Sequence, residues 1–424
     1  MEINELKDQI QNQALEVWKK TGKESTCEII TGLGKTFLAL KALYTMPKYD
    51  QDTVHLFLAE QKDRELDLNK DIEKFNKIYN CDVYKDYNLQ FFCYQTVRRW
   101  EGYTLGLVIA DEIHDSISPE NYKFYLNNKI DSILGLTALF NGEQLYTIKK
   151  DATIRQYFRK DMVSKSEMLE YVAPIRFKYN VNQGQKEGTS RKLNIYIVES
   201  DLNYLDKTIK AGNSTTPFYQ TEKAAYAYIE KLYNNVINMT QGLLEDFYKF
   251  QEKRKLQTYA IINRRCKLLY NLPSKIYNTN TILSVIKGKT IIFGNSLEQL
   301  NKITKNVVSS KNTDQENNKL RQLFDDGLIH IIGSFKKLVQ GANLEKVDNC
   351  IIMSYYSTEH KFIQMIGRLR QNKDLAGNVF ILMTKNTQEV TWMAKMIENA
   401  VEYNMFNGTL QECLNKYKED NGKL

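Results

Sequence analysis

Cys27-Glu28-Ile29-Ile30-Thr31-Gly32-Leu33-Gly34-Lys35-Thr36-Phe37-Leu38-Ala39-Leu40-Lys41-Ala42-Leu43 is the stretch that decides the fold. Cys27 to Ile30 reads as an apolar strand, Thr31 to Gly34 as a glycine turn, and Thr36 to Leu43 as a helix. A strand entering a helix through such a turn is the opening unit of a parallel α/β sheet. Glycine lets the backbone turn tightly, so that successive N–H groups point at one spot, and the helix N-terminus adds partial positive charge there. That combination binds phosphate. In this reading Thr31, Gly32, Leu33 and Gly34 wrap the phosphates of ATP, Lys35 reaches the β- and γ-phosphates, and the Thr36 hydroxyl ligates Mg²⁺. Ile29 stands where the strict phosphate-loop pattern has glycine or alanine.

Further strand candidates follow at Val54–Ala59, Phe91–Cys93, Leu105–Ala110 and Ile133–Leu136, with a charged helical stretch from Lys62 to Phe75. The run Gly106-Leu107-Val108-Ile109-Ala110 ends in Asp111-Glu112-Ile113-His114. A buried strand that delivers two adjacent acids to its carboxyl end puts them where doubly wound sheets bind ligands. Asp111 is then the group that holds Mg²⁺ through water, and Glu112 the group that orients or deprotonates the attacking water. With the upstream loop, this pair makes an ATPase.

The middle of the chain reads differently. Ile175–Tyr179 and Leu193–Val198 are strand-like and are separated by a turn-rich loop, Gln183 to Gly188. From Leu202 to Lys275 the pattern is mainly helical, with Ala225, Ile229, Leu232 and Val236 on one face. Strand–helix alternation returns with Thr290–Phe293, Leu328–Ile332, Asn349–Ser354 and Val379–Met383. Two α/β blocks with a helical insert result.

Bulk properties agree with this. A chain of 424 residues exceeds one ordinary core, and 42% hydrophobic with 26% charged content is ordinary for a soluble protein. No apolar run reaches membrane-spanning length, and the first residues lack a signal-peptide pattern, so a cytoplasmic protein with no membrane partner is expected. The six cysteines form no CxxC pair, which argues against a zinc ribbon or disulfide framework. A net charge of +8 is a modest bias toward polyanions. The abundance of Lys, Asn, Ile and Tyr suggests an AT-rich genome, bacterial or phage.

In motif order, nearly the whole chain resembles the superfamily 2 helicases and translocases, with Asp111-Glu112-Ile113-His114 as the DExH box. The resemblance implies two tandem RecA-like (P-loop NTPase) parallel-sheet domains, 1–168 and 169–424, with a mainly helical insertion at about 201–285. Ile10 to Trp18 looks like the Q-motif, whose glutamine reads adenine; Gln11 takes that place. Leu58-Ala59-Glu60-Gln61 looks like motif Ia, and Tyr94-Gln95-Thr96 like the next nucleic-acid-contacting motif. Gly135-Leu136-Thr137-Ala138 matches the motif that couples hydrolysis to strand movement, through the Thr137 hydroxyl beside Ala138. In the second block Thr290 to Ser296 looks like motif IV, and Val339-Gln340-Gly341-Ala342-Asn343-Leu344 like motif V, which implies nucleotide contacts for Gly341 and Asn343. The wording of motif V is closer to duplex-DNA translocases of the Swi/Snf type than to RNA DEAD-box proteins.

Gln364-Met365-Ile366-Gly367-Arg368-Leu369-Arg370 resembles motif VI, which supplies arginine fingers, with Gln364 in the coupling set. A fixed guanidinium stabilises charge on the transferring phosphoryl group. Arg368 and Arg370 are two positions apart and do not share a helix face, so both stay candidates, with Arg368 placed on the phosphate and Arg370 assisting.

The resemblance puts a polynucleotide across both lobes, with Arg64, Gln95 and Thr96 as contacts in the first and Asn295 and Ser334 in the second. The insert adds Lys249, Phe250, Lys253, Arg254, Lys255, Arg264, Arg265, Lys267 and Tyr270. These either grip phosphates or split strands, or form an amphipathic helix with its basic residues in water. The stretch Arg264 to Lys275 resembles a helix preceding the second lobe in phage helicases related to UvsW, which favours contact. The expected function is an ATP-dependent DNA helicase or translocase, acting as a monomer with ATP and Mg²⁺ on replication, recombination or branch-migration intermediates. The alternatives are an RNA helicase and a DNA-translocating motor subunit that does not separate strands.

Overall fold

The apolar runs become strands because each is bounded by turn residues and covered on both faces. The computed structural model describes residues 3–48, 53–62, 64–212, 215–238, 247–335, 344, 346–354, 359–371, 376–397 and 403–422. In chain order the first strands are β1 (Glu24–Ile29), β2 (His55–Ala59), β3 (Leu89–Cys93), β4 (Thr104–Asp111), β5 (Lys129–Thr137), the short pair β6 (Leu145–Thr147) and β7 (Met162–Ser164), and β8 (Ile175–Tyr179). Apart from β6 and β7, which pair with each other, they form one sheet in the order β3-β2-β4-β5-β1-β8. Every pairing in that sheet is parallel. Along β4, Leu107 and Ile109 enter one buried cluster, while Val108 and Ala110 enter the opposite one. Burial on both faces is why the strand reads as an unbroken apolar run.

Helices α1 (Ile3–Lys20), α2 (Lys35–Tyr44) and α3 (Arg64–Tyr79) cover one face. Trp18 on α1 is fully buried and its indole N–H donates to the Ile133 carbonyl at 2.9 Å, which ties α1 to β5. Truncating so large a buried ring typically costs ~3–5 kcal/mol. Because the strands run in parallel, the loops after β1, β2, β3, β4 and β5 all emerge at one edge of the sheet. That edge carries every first-lobe motif except the Q-motif.

The second unit begins with β9 (Leu193–Ser200), followed by a hairpin of β10 (Ile209–Gly212) and β11 (Pro217–Gln220) and by helices Glu222–Asn238, Phe247–Tyr270 and Pro273–Val285. Then come β12 (Thr290–Phe293), β13 (Val307–Ser309), β14 (Ile331–Phe335), β15 (Asn349–Ile352), β16 (Gly377–Thr384) and β17 (Asn404–Thr409). These make a second parallel sheet, in the order β13-β14-β12-β15-β16-β9-β17.

Four differences from the sequence expectation have physical causes. β8 pairs with β1, so the first unit continues to Lys192 and the division falls there, not at 168. β9 is an interior strand of the second sheet, and the insert lies between it and β12, with the β10–β11 hairpin ahead of its helices. The loop expected at Gln183–Gly188 is largely a helix, Val181–Lys186, because Asn180 and Gln183 form a reciprocal capping box. The strand expected at Leu328–Ile332 is Ile331–Phe335: its pairing with β12 starts at Ile331, and Leu328 is exposed. On helix Glu222–Asn238 the expected face holds, with Ala225 and Ile229 buried and Leu232 and Val236 half-buried. Among the described residues no helix is long and apolar enough to cross a membrane.

Candidate nucleotide site

Between the end of β1 and the start of α2 the chain turns on two glycines in the left-handed region, Gly32 at φ 90° and Gly34 at φ 79°. A side chain at Gly34 would also collide with Gln11, whose Nε2 stands 2.7 Å from an ideal Cβ position. Gln11 is buried on α1, and its amide donates to the Leu33 carbonyl at 2.8 Å and the Gly34 carbonyl at 3.4 Å. The glutamine expected to read adenine is thus bonded to the glycine turn itself. Leu33 is buried, which fixes the loop from below.

β4 delivers Asp111, and the next residue, Glu112, takes a left-handed conformation at φ 50°. A non-glycine residue held there carries local strain, a feature that gathers at functional sites. Each carboxylate meets its own cation. Lys35 Nζ donates to Glu112 Oε1 at 2.7 Å, and Arg64 Nε donates to Asp111 Oδ2 at 2.7 Å. Arg64 Nη2 also donates to Thr36 Oγ1 at 2.6 Å. One guanidinium thus bridges the two groups assigned to Mg²⁺. Thr36 and Asp111 offer hard oxygen donors that already converge on a cation, and this donor set fits Mg²⁺.

Arg64 was expected on the polynucleotide; the structure places its guanidinium against Asp111 and Thr36. It heads α3 just beyond the carboxyl end of β2, and β2 is the direct neighbour of β4, so Asp111 is within its reach. Its guanidinium also lies 5.8 Å from the Phe57 ring centroid. Burial alone pulls its pKa down, but the charge and hydrogen bond of Asp111, with the charges of Asp67 and Asp71, more than offset this, leaving it raised.

A polar chain leads away from the carboxylates. His114 is buried, and its Nδ1 lies 3.0 Å from Thr137 Oγ1, which in turn donates to the Leu139 carbonyl at 2.9 Å. His114 also approaches Glu112 at 3.5 Å and Asp115 at 3.4 Å. Burial, followed by the charges of Glu60 and Glu112, pushes the Asp115 carboxyl up to about 8, against the opposing pull of Lys165. The Tyr94 hydroxyl donates to the Asp111 carbonyl at 2.8 Å. Ala138 is buried beside Thr137. Sequence reasoning gave roles to Thr137 and Ala138, put His114 in the DExH box and Tyr94 in a nucleic-acid-contacting motif without naming a partner for either, and did not single out Asp115. The available signal was Tyr94, an aromatic with a polar tip that needs a partner once buried.

Gln95 and Thr96 follow β3 and are exposed, as a polymer contact requires. In the second unit Gln364 is buried on helix Glu359–Ile366. Arg368 is half-buried in Gly367–Gln371, a tighter 3₁₀ turn where an α-helix was expected. The Arg370 side chain and all of Gly341 and Asn343 lie outside the described residues, as do the side chains of Lys249, Phe250 and Lys253. Asn295 is half-buried just after β12. Ser334 is 1% exposed in β14, too deep to meet a polymer phosphate as expected.

The insert divides its basic residues. Arg265 is buried, pairs with Glu230 at 2.9 Å and lies 4.8 Å from the Tyr233 ring centroid. It braces two helices, which corrects its expected role as a phosphate contact. Arg264 and Lys267 are exposed, with Arg264 5.4 Å from the Tyr228 ring centroid.

Two parallel-sheet α/β units of this kind are the tandem RecA-like fold of helicases. S. cerevisiae Dbp5 bound to RNA and ADP BeF3 superimposes with a TM-score of 0.55 at 11% identity, covering 97% of this chain and 92% of that one. The ATP-dependent Type ISP restriction-modification enzyme LlaBIII bound to DNA gives 0.54 at 12% identity, covering 93% of this chain and 29% of that one. In sequence, the ResIII family, described as Type III restriction enzyme, res subunit, matches residues 1–142. The DNA 3'-5' translocase XPB2 of Sulfurisphaera tokodaii is 25% identical over 182 residues, which cover 40% of this chain and 41% of that protein. The chain thus matches about two fifths of that relative's length.

Proposed function

We propose that the chain is an ATP-dependent DNA translocase or helicase of the superfamily 2 DExH-box class, similar to UvsW-type phage helicases. The observation that carries this is the convergence of Lys35, Thr36, Asp111 and Glu112 at the carboxyl edge of one parallel sheet, with the Gln11 side chain bonded to the loop from α1. The N–H groups of Thr31 to Gly34 bind phosphate oxygens. Lys35 exchanges Glu112 for the more highly charged β- and γ-phosphates, which frees Glu112 to orient and deprotonate water. Thr36 and Asp111 would hold Mg²⁺, which would neutralise charge developing on the phosphoryl oxygens.

Strain released at Glu112 passes through His114 to Thr137, where hydrolysis is coupled to movement of the polymer. Gly341 and Asn343 serve the nucleotide and Gln364 the coupling, with Arg368 as the finger and Arg370 assisting. Gln95, Thr96, Asn295, Arg264 and Lys267 contact the polymer. DNA is favoured over RNA because the matching sequence relative is by name a DNA translocase and the matching family model is described as a restriction-enzyme subunit. A monomer working on phage replication or recombination intermediates completes the reading.

The test is the ATPase rate of the full chain with single-stranded, duplex and forked DNA and with RNA. Stimulation by DNA is expected, and strand separation on the fork distinguishes a helicase from a translocase. Stimulation by RNA alone would overturn the DNA assignment.

A further inference from the structure

Thr36 Oγ1 and Asp111 Oδ2, the two oxygens best placed to hold a divalent cation, are joined by a single guanidinium. Arg64 meets them with two different nitrogens, Nε and Nη2, so its planar fork spans the site as a point charge would not. Its side chain is 14% exposed and that of Asp111 is 8% exposed, so solvent screens the contact little. Around it lie Lys35 paired with Glu112 and, further out, Asp67 and Asp71 on α3, whose charges also favour the guanidinium. The arrangement is locally balanced, with one cation for each catalytic carboxylate.

A divalent ion bound through the same two oxygens would stand against the guanidinium, and two cations of that proximity repel strongly where water is scarce. We propose that Arg64 is a built-in counter-ion of the metal position, which a divalent metal must displace, so that metal binding and release of Arg64 are one linked event. Arg64 is the first residue of α3, and its backbone N–H bonds locally to the Gln61 carbonyl at 3.2 Å, so the side chain can leave by rotation without unwinding the helix. It stands three residues beyond Gln61, at the end of the segment that resembles motif Ia. Displacement therefore changes the charge presented by the element expected to face the polynucleotide. That consequence rests on the proposed function; the competition itself does not.

By linkage, removing the competing cation raises metal affinity by the factor with which it had been opposing the metal. The measurement is Mn²⁺ binding to the full chain without nucleotide, read from the electron paramagnetic resonance of free Mn²⁺. Arg64→Ala is expected to bind Mn²⁺ about tenfold tighter than the wild type, with Arg64→Lys between them. Adding Asp111→Asn to Arg64→Ala should abolish the gain. A second readout is thermal: Mg²⁺ should raise the melting temperature of Arg64→Ala and leave that of the wild type nearly unchanged. Equal Mn²⁺ affinities in folded wild type and Arg64→Ala overturn the proposal, as does a gain that survives Asp111→Asn. The gain without any ATPase activity would instead sink the motor reading and leave the counter-ion standing.

Discussion

Replacing Lys275 by alanine tests how firmly the insert is joined to the second sheet. The Lys275 side chain is fully buried and that of Glu389 is 1% exposed, with Nζ 2.5 Å from Oε1. Lys275 Nζ also donates to the Met353 carbonyl at 2.9 Å, and the other oxygen of Glu389 accepts from the Thr384 N–H at 3.0 Å. The pair therefore pins helix Pro273–Val285 to the ends of β15 and β16. Glu222, equally buried, reinforces the join by accepting from Ser274 N and Oγ and from Asn203 N, each at 2.9 Å. Deleting one member of a buried ion pair costs ~3–5 kcal/mol, since the other is left charged in a poor solvent. That is a large share of the ~5–15 kcal/mol that holds a domain together. Hydrogen exchange on peptides covering Pro273–Val285 and 384–397 reads the loss locally, without assuming that two units unfold together. Lys275→Ala should lose ~3–5 kcal/mol of protection there, while Lys275→Met with Glu389→Leu should lose much less. A single substitution costing under ~1 kcal/mol, or a double as damaging as the single, would refute the reasoning.

Gly34→Ala should abolish ATP binding in equilibrium titration, because the left-handed φ of 79° and the approach of Gln11 both exclude a Cβ; unchanged affinity would show that the loop adapts. Asp115 retains its proton to about pH 8 in the folded chain but loses it near pH 4 when unfolded. The unfolded chain therefore holds fewer protons between those values, and stability falls as pH rises through that window. Melting temperatures from pH 5 to 9 should decline less steeply in Asp115→Asn than in the wild type; parallel curves would contradict the assignment. Arg264→Ala and Lys267→Ala should each lower the salt slope of DNA binding by about 1. Arg265→Ala should loosen the helix pair and leave that slope nearly unchanged; a loss of slope there would return Arg265 to the polymer.

The two sheets were legible because parallel strands covered on both faces leave apolar runs bounded by glycine or acidic residues, as in Gly106 to Asp111. The strand Thr290–Phe293 was read to the residue for the same reason. Boundaries were less legible: β8 joins the first sheet through its pairing with β1, a contact about 150 residues apart that no local pattern records. The glycine turn at Thr31–Gly34 and the acids at the end of β4 were visible in the sequence, since glycine geometry and charge at a strand end are local properties. Arg64 was not, because an arginine five residues past a strand reads the same whether it faces solvent or the neighbouring strand's aspartate. Arg265 and Ser334 failed similarly, their burial being decided by Glu230, Tyr233 and the second sheet. Residue type indicated the kind of partner each needed, and tertiary packing chose which.

The central claim is that the loop at Thr31–Thr36 and the acids at Asp111–Glu112 form one ATP-hydrolysing site that drives movement on a polynucleotide. Steady-state ATP hydrolysis by the wild type, Lys35→Ala and Glu112→Gln, each with and without DNA, tests it most directly. DNA-stimulated turnover is expected in the wild type and at least ~100-fold lower turnover in both variants, with DNA binding retained. Hydrolysis that survives either substitution, or a wild-type rate that no polynucleotide changes, would contradict it.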